Sequence, residues 1–257
     1  MSPLPESDAK PEPERIDDLQ RNGCRLIQRP DLFCFGMDAV LLAAFAGVKR
    51  GDRVLDLCSG NGVIPILMDA RLPGELRLEG SVQFTGLEIN SICVDMSKRS
   101  AQMNGQSERV HFLEGDVRSY EKTGLKPGFF DRVTVNPPYM TGGGGLTGGN
   151  TGRVIARHEV LCTFDDVADC ASRALKVGGH LYLVHRPHRL GDIFLSLNRH
   201  HLAVKKMRMV HPFADKEANM VLIEAVKGGR AYVHVEQPLV IFQTAGVYTE
   251  EVRAVYD

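Results

Sequence analysis

The sequence has little that would mark a secreted, membrane-bound or metal-dependent protein. It contains no tryptophan and only six cysteines among 257 residues. No two cysteines form a C-x-x-C pair, and no pair of histidines offers a metal-ligand spacing beside them. We therefore expect reduced thiols in a cytoplasmic protein, with neither disulfides nor a metal site. The cysteines are Cys24, Cys34, Cys58, Cys93, Cys162 and Cys170.

Long apolar runs and a strong net charge are also missing. No segment approaches the roughly 18–20 apolar residues that cross a bilayer. The start of the chain, MSPLPESDAKPEPER, is polar and proline-rich and lacks the apolar stretch of a secretory signal, so we predict a disordered tail over residues 1–15. The net charge is −1 and the pI is about 6.8. A basic surface for nucleic acid would therefore have to be local.

The remaining sequence alternates between strand and helix patterns. Near-continuous apolar strands that alternate with helices are typical of a doubly wound α/β fold. We predict one domain over residues 16–257, with a mostly parallel twisted sheet of about seven strands and helices on both faces. Residues 16–50 form an extension before the first strand. The main predicted strands are 53–58, 81–88, 110–116, 131–136, 180–185, 203–210 and 219–226.

Helix ends are predicted from capping residues. The run MDAVLLAAFAGV predicts a buried helix over residues 37–48, with Asp38 in its first turn. A second helix over residues 164–175 is expected to begin near Thr163 and to stop at Gly178-Gly179, before the fifth strand.

The loop after the first sheet strand has the pattern of a nucleotide-type site. It runs Asp56-Leu57-Cys58-Ser59-Gly60-Asn61-Gly62. Ligands of doubly wound sheets bind at the carboxyl ends of the strands. The pattern is close to the D-x-G-x-G-x-G of S-adenosylmethionine (SAM) enzymes, with Cys58 at the usual first glycine. The alternative interpretation is a plain tight turn between a strand and a helix.

Two further acids close the next two predicted strands. Glu88 ends the second strand, where a carboxylate can accept hydrogen bonds from ribose hydroxyls, and Asp116 ends the third, within reach of an adenine amino group. Each acid alone could be a solvated strand end. Three acids at three successive strand ends favour a cofactor site, and Ile89 and Val117 belong to it as the residues that follow.

The stretch Asn136-Pro137-Pro138-Tyr139 leaves the fourth strand at the same edge of the sheet. Neither proline can donate a hydrogen bond to a sheet. The Asn136 side-chain oxygen and the Pro137 carbonyl could grip both protons of an exocyclic amine as positive charge develops on its nitrogen. Pro138 stiffens the loop and Tyr139 offers a ring for base stacking. The alternative is a rigid edge turn in which Asn136 caps local backbone groups.

A glycine-rich segment follows, with Gly142–Gly145 at its start. We expect this segment to close over the substrate, with Arg153, Arg157 and His158 at its far end as substrate-binding candidates. An unused flexible insert is the alternative, because glycine-rich loops are often only linkers.

Several of these motifs together resemble a known family. ERIDDL at Glu14–Leu19, the run Ile27–Ala46, LDLCSGNG, NPPY and ARHE at Ala156–Glu159 follow the order found in bacterial tRNA1(Val) (adenine-37-N6)-methyltransferases. FGMDAVLLA is the most family-specific element. The resemblance implies a class I SAM methyltransferase (Rossmann-like) fold, with NPPY as the catalytic loop. It also implies that the segment Phe35–Asp38, including Gly36, packs beside the cofactor.

We therefore predict an SAM-dependent RNA adenine-N6 methyltransferase that acts on tRNA. We expect no membrane association, and we favour a monomer over an oligomer. Ribosomal RNA, DNA or a protein glutamine remain alternative substrates, since NPPY chemistry suits any planar amine or amide. A non-catalytic RNA-binding module with the same fold is the alternative from another class. Residues 185–211 hold six cations against one acid and could track phosphates, or could form ordinary solvated faces.

Overall fold

The computed structural model describes residues 12–32, 34–77, 81–137 and 162–256. The helices are α1 Met37–Phe45, α2 Val63–Ala70, α3 Ser91–Met103, α4 Phe164–Ala174, α5 Leu190–Arg199 and α6 Glu250–Tyr256. The strands are β1 Arg15–Asp18, β2 Arg25–Gln28, β3 Arg53–Leu57, β4 Gln83–Glu88, β5 Val110–Glu114, β6 Phe130–Val135, β7 Leu175–His185, β8 Leu202–His211, β9 Met220–Lys227, β10 His234–Val235, β11 Leu239–Val240, β12 Phe242–Thr244 and β13 Val247–Tyr248.

Seven of these strands form the body of the central sheet, in the order β8-β9-β7-β6-β3-β4-β5. The strands β5, β4, β3, β6 and β7 run parallel, while β9 is antiparallel to both β7 and β8. The prediction of a mostly parallel sheet is confirmed. The strand order reverses at β3, which pairs with β4 on one side and β6 on the other. A crevice for ligands is expected at such a reversal.

Apolar side chains cover both faces of the sheet. Because successive side chains of a strand point to opposite faces, neighbours such as Val54 and Leu55 enter two different cores. One core packs β-strand residues against α1, α2, α3 and α6, and the other packs them against α4 and α5. This two-sided burial explains why the strands are apolar at nearly every position.

The chain before β3 forms an antiparallel hairpin of β1 and β2 that packs on α3. Arg15 is the first residue of β1, and Glu14 pairs with Arg99 of α3 over 2.6 Å. The predicted tail over residues 1–15 therefore extended too far at its C-terminal end. Residues 1–11 lie outside the described part of the chain.

Two predicted helix ends were wrong. α1 ends at Phe45 and not at residue 48, because Ala46 adopts an extended conformation. α4 begins with the predicted cap, since Thr163 and Asp166 form a reciprocal capping box, but it ends at Ala174. The chain then enters β7 directly at Leu175. Gly178 and Gly179 lie inside this strand, where the pairing with β6 shifts register, and so they are no helix stop.

Among the described residues, no helix is long and apolar enough to cross a membrane. The same ranges contain no group of three or more histidine, cysteine or acidic side chains that could hold a metal ion. All six cysteines are free thiols.

Candidate functional site

The loop after β3 and the chain leaving β6 lie side by side at the reversal of the strand order. Val54 to Leu57 pair with Arg132 to Val135, so Gly60 and Asn136 emerge from adjacent strands at the same edge of the sheet. One buried carboxylate joins the two segments. Asp56 accepts a hydrogen bond from Ser59 Oγ and another from Thr134 Oγ1, each over 2.7 Å.

Asp56 lies beneath the loop, with only 1% of its surface exposed. Burial raises its pKa to about 7, and nearby Glu88 acts in the same direction, while the hydrogen bonds from Thr134 and Ser59 oppose the shift. The side chain therefore organises the loop from below. Its two oxygens fix the positions of Ser59 and β6 relative to each other.

The loop itself turns through three left-handed residues. Cys58, Gly60 and Gly62 have φ angles of 55°, 56° and 79°. Glycine adopts such angles without strain, which explains why a glycine is usual at the position of Cys58. The Cys58 thiol contacts Cys162, which precedes α4, and this contact together with burial raises the pKa of Cys58.

Glu88 lies at the end of β4 and closes the site from that side. It is 7% exposed, and its two oxygens accept hydrogen bonds from the backbone N–H groups of Gly60 (2.8 Å) and Asn90 (2.9 Å). Asn90 in turn caps α3 by accepting from Ile92 N over 3.0 Å. The carboxylate therefore ties β4 to the loop, while each oxygen keeps a second lone pair for a ligand hydroxyl.

Asp116 lies half-buried past the end of β5, with its carboxylate already engaged. It accepts from Arg118 N over 2.9 Å and forms an ion pair of 2.6 Å with the Arg118 side chain, which lowers the pKa of Asp116. An adenine amino group at this position would share the carboxylate with Arg118. Ile89 is half-buried and Val117 is buried.

Asn136 and Pro137 are the described part of the predicted catalytic loop. Asn136 is half-buried and Pro137 is buried. Asn136 Nδ2 donates a hydrogen bond of 3.1 Å to Asp38 Oδ2. Asp38, which the resemblance placed at the cofactor, therefore contacts the predicted catalytic amide. Pro138, Tyr139, Arg153, Arg157 and His158 lie outside the described residues.

Sequence reasoning missed Gln28, which fixes the N-terminal hairpin to this loop. Gln28 is 1% exposed and its Oε1 accepts from Asn61 Nδ2 over 2.8 Å and from Phe35 N over 3.1 Å. Its amide nitrogen donates to Asp17 of β1. No local pattern marks Gln28, because its partners are distant in sequence.

His185 is a second residue that the sequence did not mark as part of the site. It ends β7, two residues after Leu183, which pairs with Val135 at the end of β6. The ring is 2% exposed and packs edge-on against Phe164 at 5.8 Å. Burial lowers its pKa to about 4, and Nδ1 accepts from Arg186 N over 2.8 Å. At neutral pH the imidazole is therefore neutral, with its proton on Nε2.

Four of the six cations in residues 185–211 pair with acids, and three of these acids come from other segments. Arg189 pairs with Asp192, Arg199 with Asp165, Lys206 with Glu236 and Arg208 with Glu251. Lys205 and Arg186 donate to backbone carbonyls. These contacts favour the interpretation of this segment as ordinary solvated faces.

The residues at this edge fit the SAM expected from the sequence. A Cβ built on Gly60 would meet no described atom within 4 Å, so the loop faces open space there. Two acceptors that suit a nucleoside are the carboxylate of Glu88, which contacts this loop, and that of Asp116, which follows the neighbouring strand β5. By contrast, a Cβ on Gly62 would lie 2.6 Å from Phe112 Cζ, so Gly62 serves close packing of the loop on β5.

Comparisons with known proteins agree with this architecture. A family model described as "Methyltransferase small domain" matches residues 26–209. The chain is similar to two curated proteins named tRNA1(Val) (adenine(37)-N6)-methyltransferase. It is 29% identical over 217 residues to that of Aeromonas hydrophila, which covers 84% of this chain and 85% of the relative. It is 27% identical over 218 residues to that of Yersinia pseudotuberculosis, with 84% and 81% covered.

A solved structure shares the fold over a similar extent. The crystal structure of a predicted O-methyltransferase from Agrobacterium tumefaciens superposes with a TM-score of 0.69 and 25% identity, covering 86% of this chain and 95% of that one. The predicted class I methyltransferase fold is thereby confirmed.

Proposed function

The chain belongs to the methyltransferase small domain family, and we propose that it transfers a methyl group from SAM to the exocyclic N6 amine of an adenine in tRNA. The names of the curated relatives support this substrate, including nucleotide position 37 of a valine tRNA. The observation that carries the proposal is the adjacency of two loops. The Asp56–Gly62 loop and Asn136-Pro137 leave neighbouring strands and are joined through Asp56.

The chain's residues divide into a cofactor group and an acceptor group. Glu88, Asp116 and the backbone around Ser59 and Gly60 would hold the cofactor. Bound SAM supplies an electrophilic methyl group on a sulfonium. Asp56 fixes the loop to β6, so the distance between the cofactor group and the acceptor group stays constant.

The acceptor group acts on a weak nucleophile, because the lone pair of an adenine amine is delocalised into the ring. The Asn136 side-chain oxygen and the Pro137 carbonyl each accept a hydrogen bond from one N–H of the amine, which favours a tetrahedral nitrogen whose lone pair points at the sulfonium methyl. These dipoles stabilise the positive charge that grows on nitrogen in the transition state.

The test is methyl transfer from labelled SAM by the purified chain to four acceptors in parallel. These are tRNA from a bacterium that lacks its own modification, ribosomal RNA, DNA and a glutamine-containing protein extract. We expect label in tRNA, recovered as N6-methyladenosine by nucleoside mass spectrometry. Label in another acceptor would keep the methyltransferase and reassign its substrate.

Two asparagine variants separate chemistry from folding. Asn136→Ala should lower transfer at least about 100-fold, as loss of one transition-state contact does in other enzymes. Asn198→Ala, at an exposed position on α5, should leave it unchanged. SAM binding without transfer to any acceptor would instead support a non-catalytic module.

A further inference from the structure

The Asp38 carboxylate bridges the first turn of α1 and the residue that leaves β6. Its Oδ1 accepts from Ala39 N over 2.9 Å, and its Oδ2 accepts from Asn136 Nδ2 over 3.1 Å. Building on the function proposed above, we propose that Asp38 is a positioning residue. It decides which end of the Asn136 carboxamide faces the substrate amine.

The orientation matters because the two ends of an asparagine side chain have nearly the same shape and opposite hydrogen-bonding roles. The oxygen accepts, whereas the nitrogen only donates. A carboxylate only accepts, so the end of Asn136 that faces Asp38 must be the nitrogen. The other end of the carboxamide is then its oxygen, and this oxygen is the acceptor that the substrate amine needs. If the Asn136 amide were reversed, its two N–H donors would face the N–H donors of the substrate amine.

Three features hold Asp38 itself in place. The Ala39 N–H belongs to the backbone and cannot exchange its donor role for an acceptor role. Its position in the first turn of α1 favours a negative charge through the helix dipole. Gly36 leaves room for the carboxylate, since a Cβ at Gly36 would lie 2.8 Å from Asp38 Oδ1. The carboxylate is therefore a fixed reference for the Asn136 amide.

This arrangement makes an unusual prediction for the conservative variant. In Asp38→Asn the side chain at position 38 has one acceptor and one donor. The Ala39 N–H retains the acceptor, so the new NH2 group faces Asn136 and turns its oxygen away from the substrate. Asp38→Ala only releases the Asn136 amide. We expect kcat to fall about 10-fold in Asp38→Ala and about 100-fold or more in Asp38→Asn, on the scale of a lost transition-state contact.

A double variant tests the pairing directly. Asp38→Asn combined with Asn136→Asp restores a donor opposite an acceptor and keeps one carboxylate oxygen for the amine. We expect the double variant to be at least about 10-fold more active than Asp38→Asn alone. Asp31→Asn is the matched control, because Asp31 is a half-buried acid of the same N-terminal segment that pairs with Arg29 at 2.5 Å. It should change activity by less than about 2-fold.

Calorimetric titration with SAM separates positioning from a direct cofactor contact. A positioning role leaves the SAM Kd of both Asp38 variants within about 3-fold of the wild type while kcat falls. A rise in Kd with little change in kcat would overturn the proposal and place Asp38 at the cofactor. Equal activity of Asp38→Asn and wild type would overturn it too.

A spectroscopic measurement decides the point without turnover. The side-chain NH2 signals of Asn136 in 15N-labelled protein can be assigned by their loss in Asn136→Ala. They should shift in Asp38→Asn and stay in place in Asp31→Asn, whereas unmoved signals in Asp38→Asn would overturn the proposal. If the wild type transfers no methyl group to tRNA, the proposed function fails, and this measurement still decides whether Asp38 holds the amide.

Discussion

Thr134 Oγ1 donates a hydrogen bond of 2.7 Å to Asp56 Oδ1 in the middle of the sheet. Both side chains are almost completely buried, at 0% and 1% exposure. The contact couples the strand that ends in Asn136 to the strand that ends in the glycine loop. The spacing of the two halves of the site therefore depends on a hydroxyl that touches neither substrate nor cofactor.

Replacing this hydroxyl should weaken both the fold and the cofactor site. Thr134→Val keeps the shape but leaves one oxygen of a buried carboxylate without its donor. We expect a loss of about 1–3 kcal/mol in the free energy of unfolding, together with weaker SAM binding. Chemical denaturation and calorimetry measure the two effects. Thr85→Val, at a half-buried position of β4, is the control, and equal behaviour of the two variants would contradict the role of Thr134.

Asp56 should make stability depend on pH in an unusual direction. Its pKa is about 7 in the folded protein against 3.8 for the ordinary side chain. Between these values the folded state binds more protons than the unfolded state, so stability falls as pH rises. The contribution of Asp56 to the free energy of unfolding is fully present below about pH 4 and is lost above about pH 7. It amounts to a few kcal/mol.

The measurement is the free energy of unfolding of wild type and Asp56→Asn between pH 4.5 and 8. Taking the difference between the proteins removes the other titrating groups. The wild type should lose stability relative to the variant as pH rises. A difference that stays constant across this range would show that Asp56 does not titrate there.

Cys58 carries a local backbone strain that glycine would relieve. Its φ of 55° costs an L-residue about 1–2 kcal/mol, while glycine adopts it freely. Cys58→Gly and Cys58→Ala both remove the contact with Cys162, but only the glycine variant removes the strain. We expect the glycine variant to be the more stable by about 1 kcal/mol in chemical denaturation. A more stable alanine variant would contradict this assignment.

Two glycines beside the site should respond differently to alanine. A Cβ on Gly86 would lie 2.5 Å from Phe112 Cδ1 and 2.6 Å from Ser59 Oγ, so Gly86→Ala should cost about 1–3 kcal/mol of stability through overpacking. A Cβ on Gly60 would enter the open space of the predicted cofactor site. Gly60→Ala should therefore lose SAM affinity by at least about 10-fold, with a smaller cost of about 1 kcal/mol in stability. Unchanged SAM binding by Gly60→Ala would move the cofactor away from this loop.

Local patterns made much of the fold predictable. The apolar strands, the cap at Thr163 and the loop around Gly60 are each encoded within a few residues, and the structure has them close to the predicted positions. The Asn136-Pro137-Pro138-Tyr139 segment was also a candidate from its own four residues, and its catalytic role stays a prediction. The end of α4 was mispredicted because glycines inside an irregular strand resemble a helix stop.

Contacts between distant segments could not be read from the sequence. Asp38 and Asn136 are 98 residues apart, and nothing near Asp38 indicates that its partner is an amide. Asp56 looks like a ligand-binding acid until its burial under the loop is known. The cations after His185 look unpaired because acids such as Glu236 and Glu251 come from later in the chain.

The most direct measurement is to map the methylated nucleotide in a single unmodified valine tRNA transcript. The transcript is incubated with SAM and either the wild type or Asn136→Ala, digested, and sequenced by mass spectrometry. The proposed function predicts one N6-methyladenosine per transcript, at nucleotide 37, made by the wild type and lost in the variant. No methylation of the transcript, a methyl group at another position, or full activity of Asn136→Ala would contradict it.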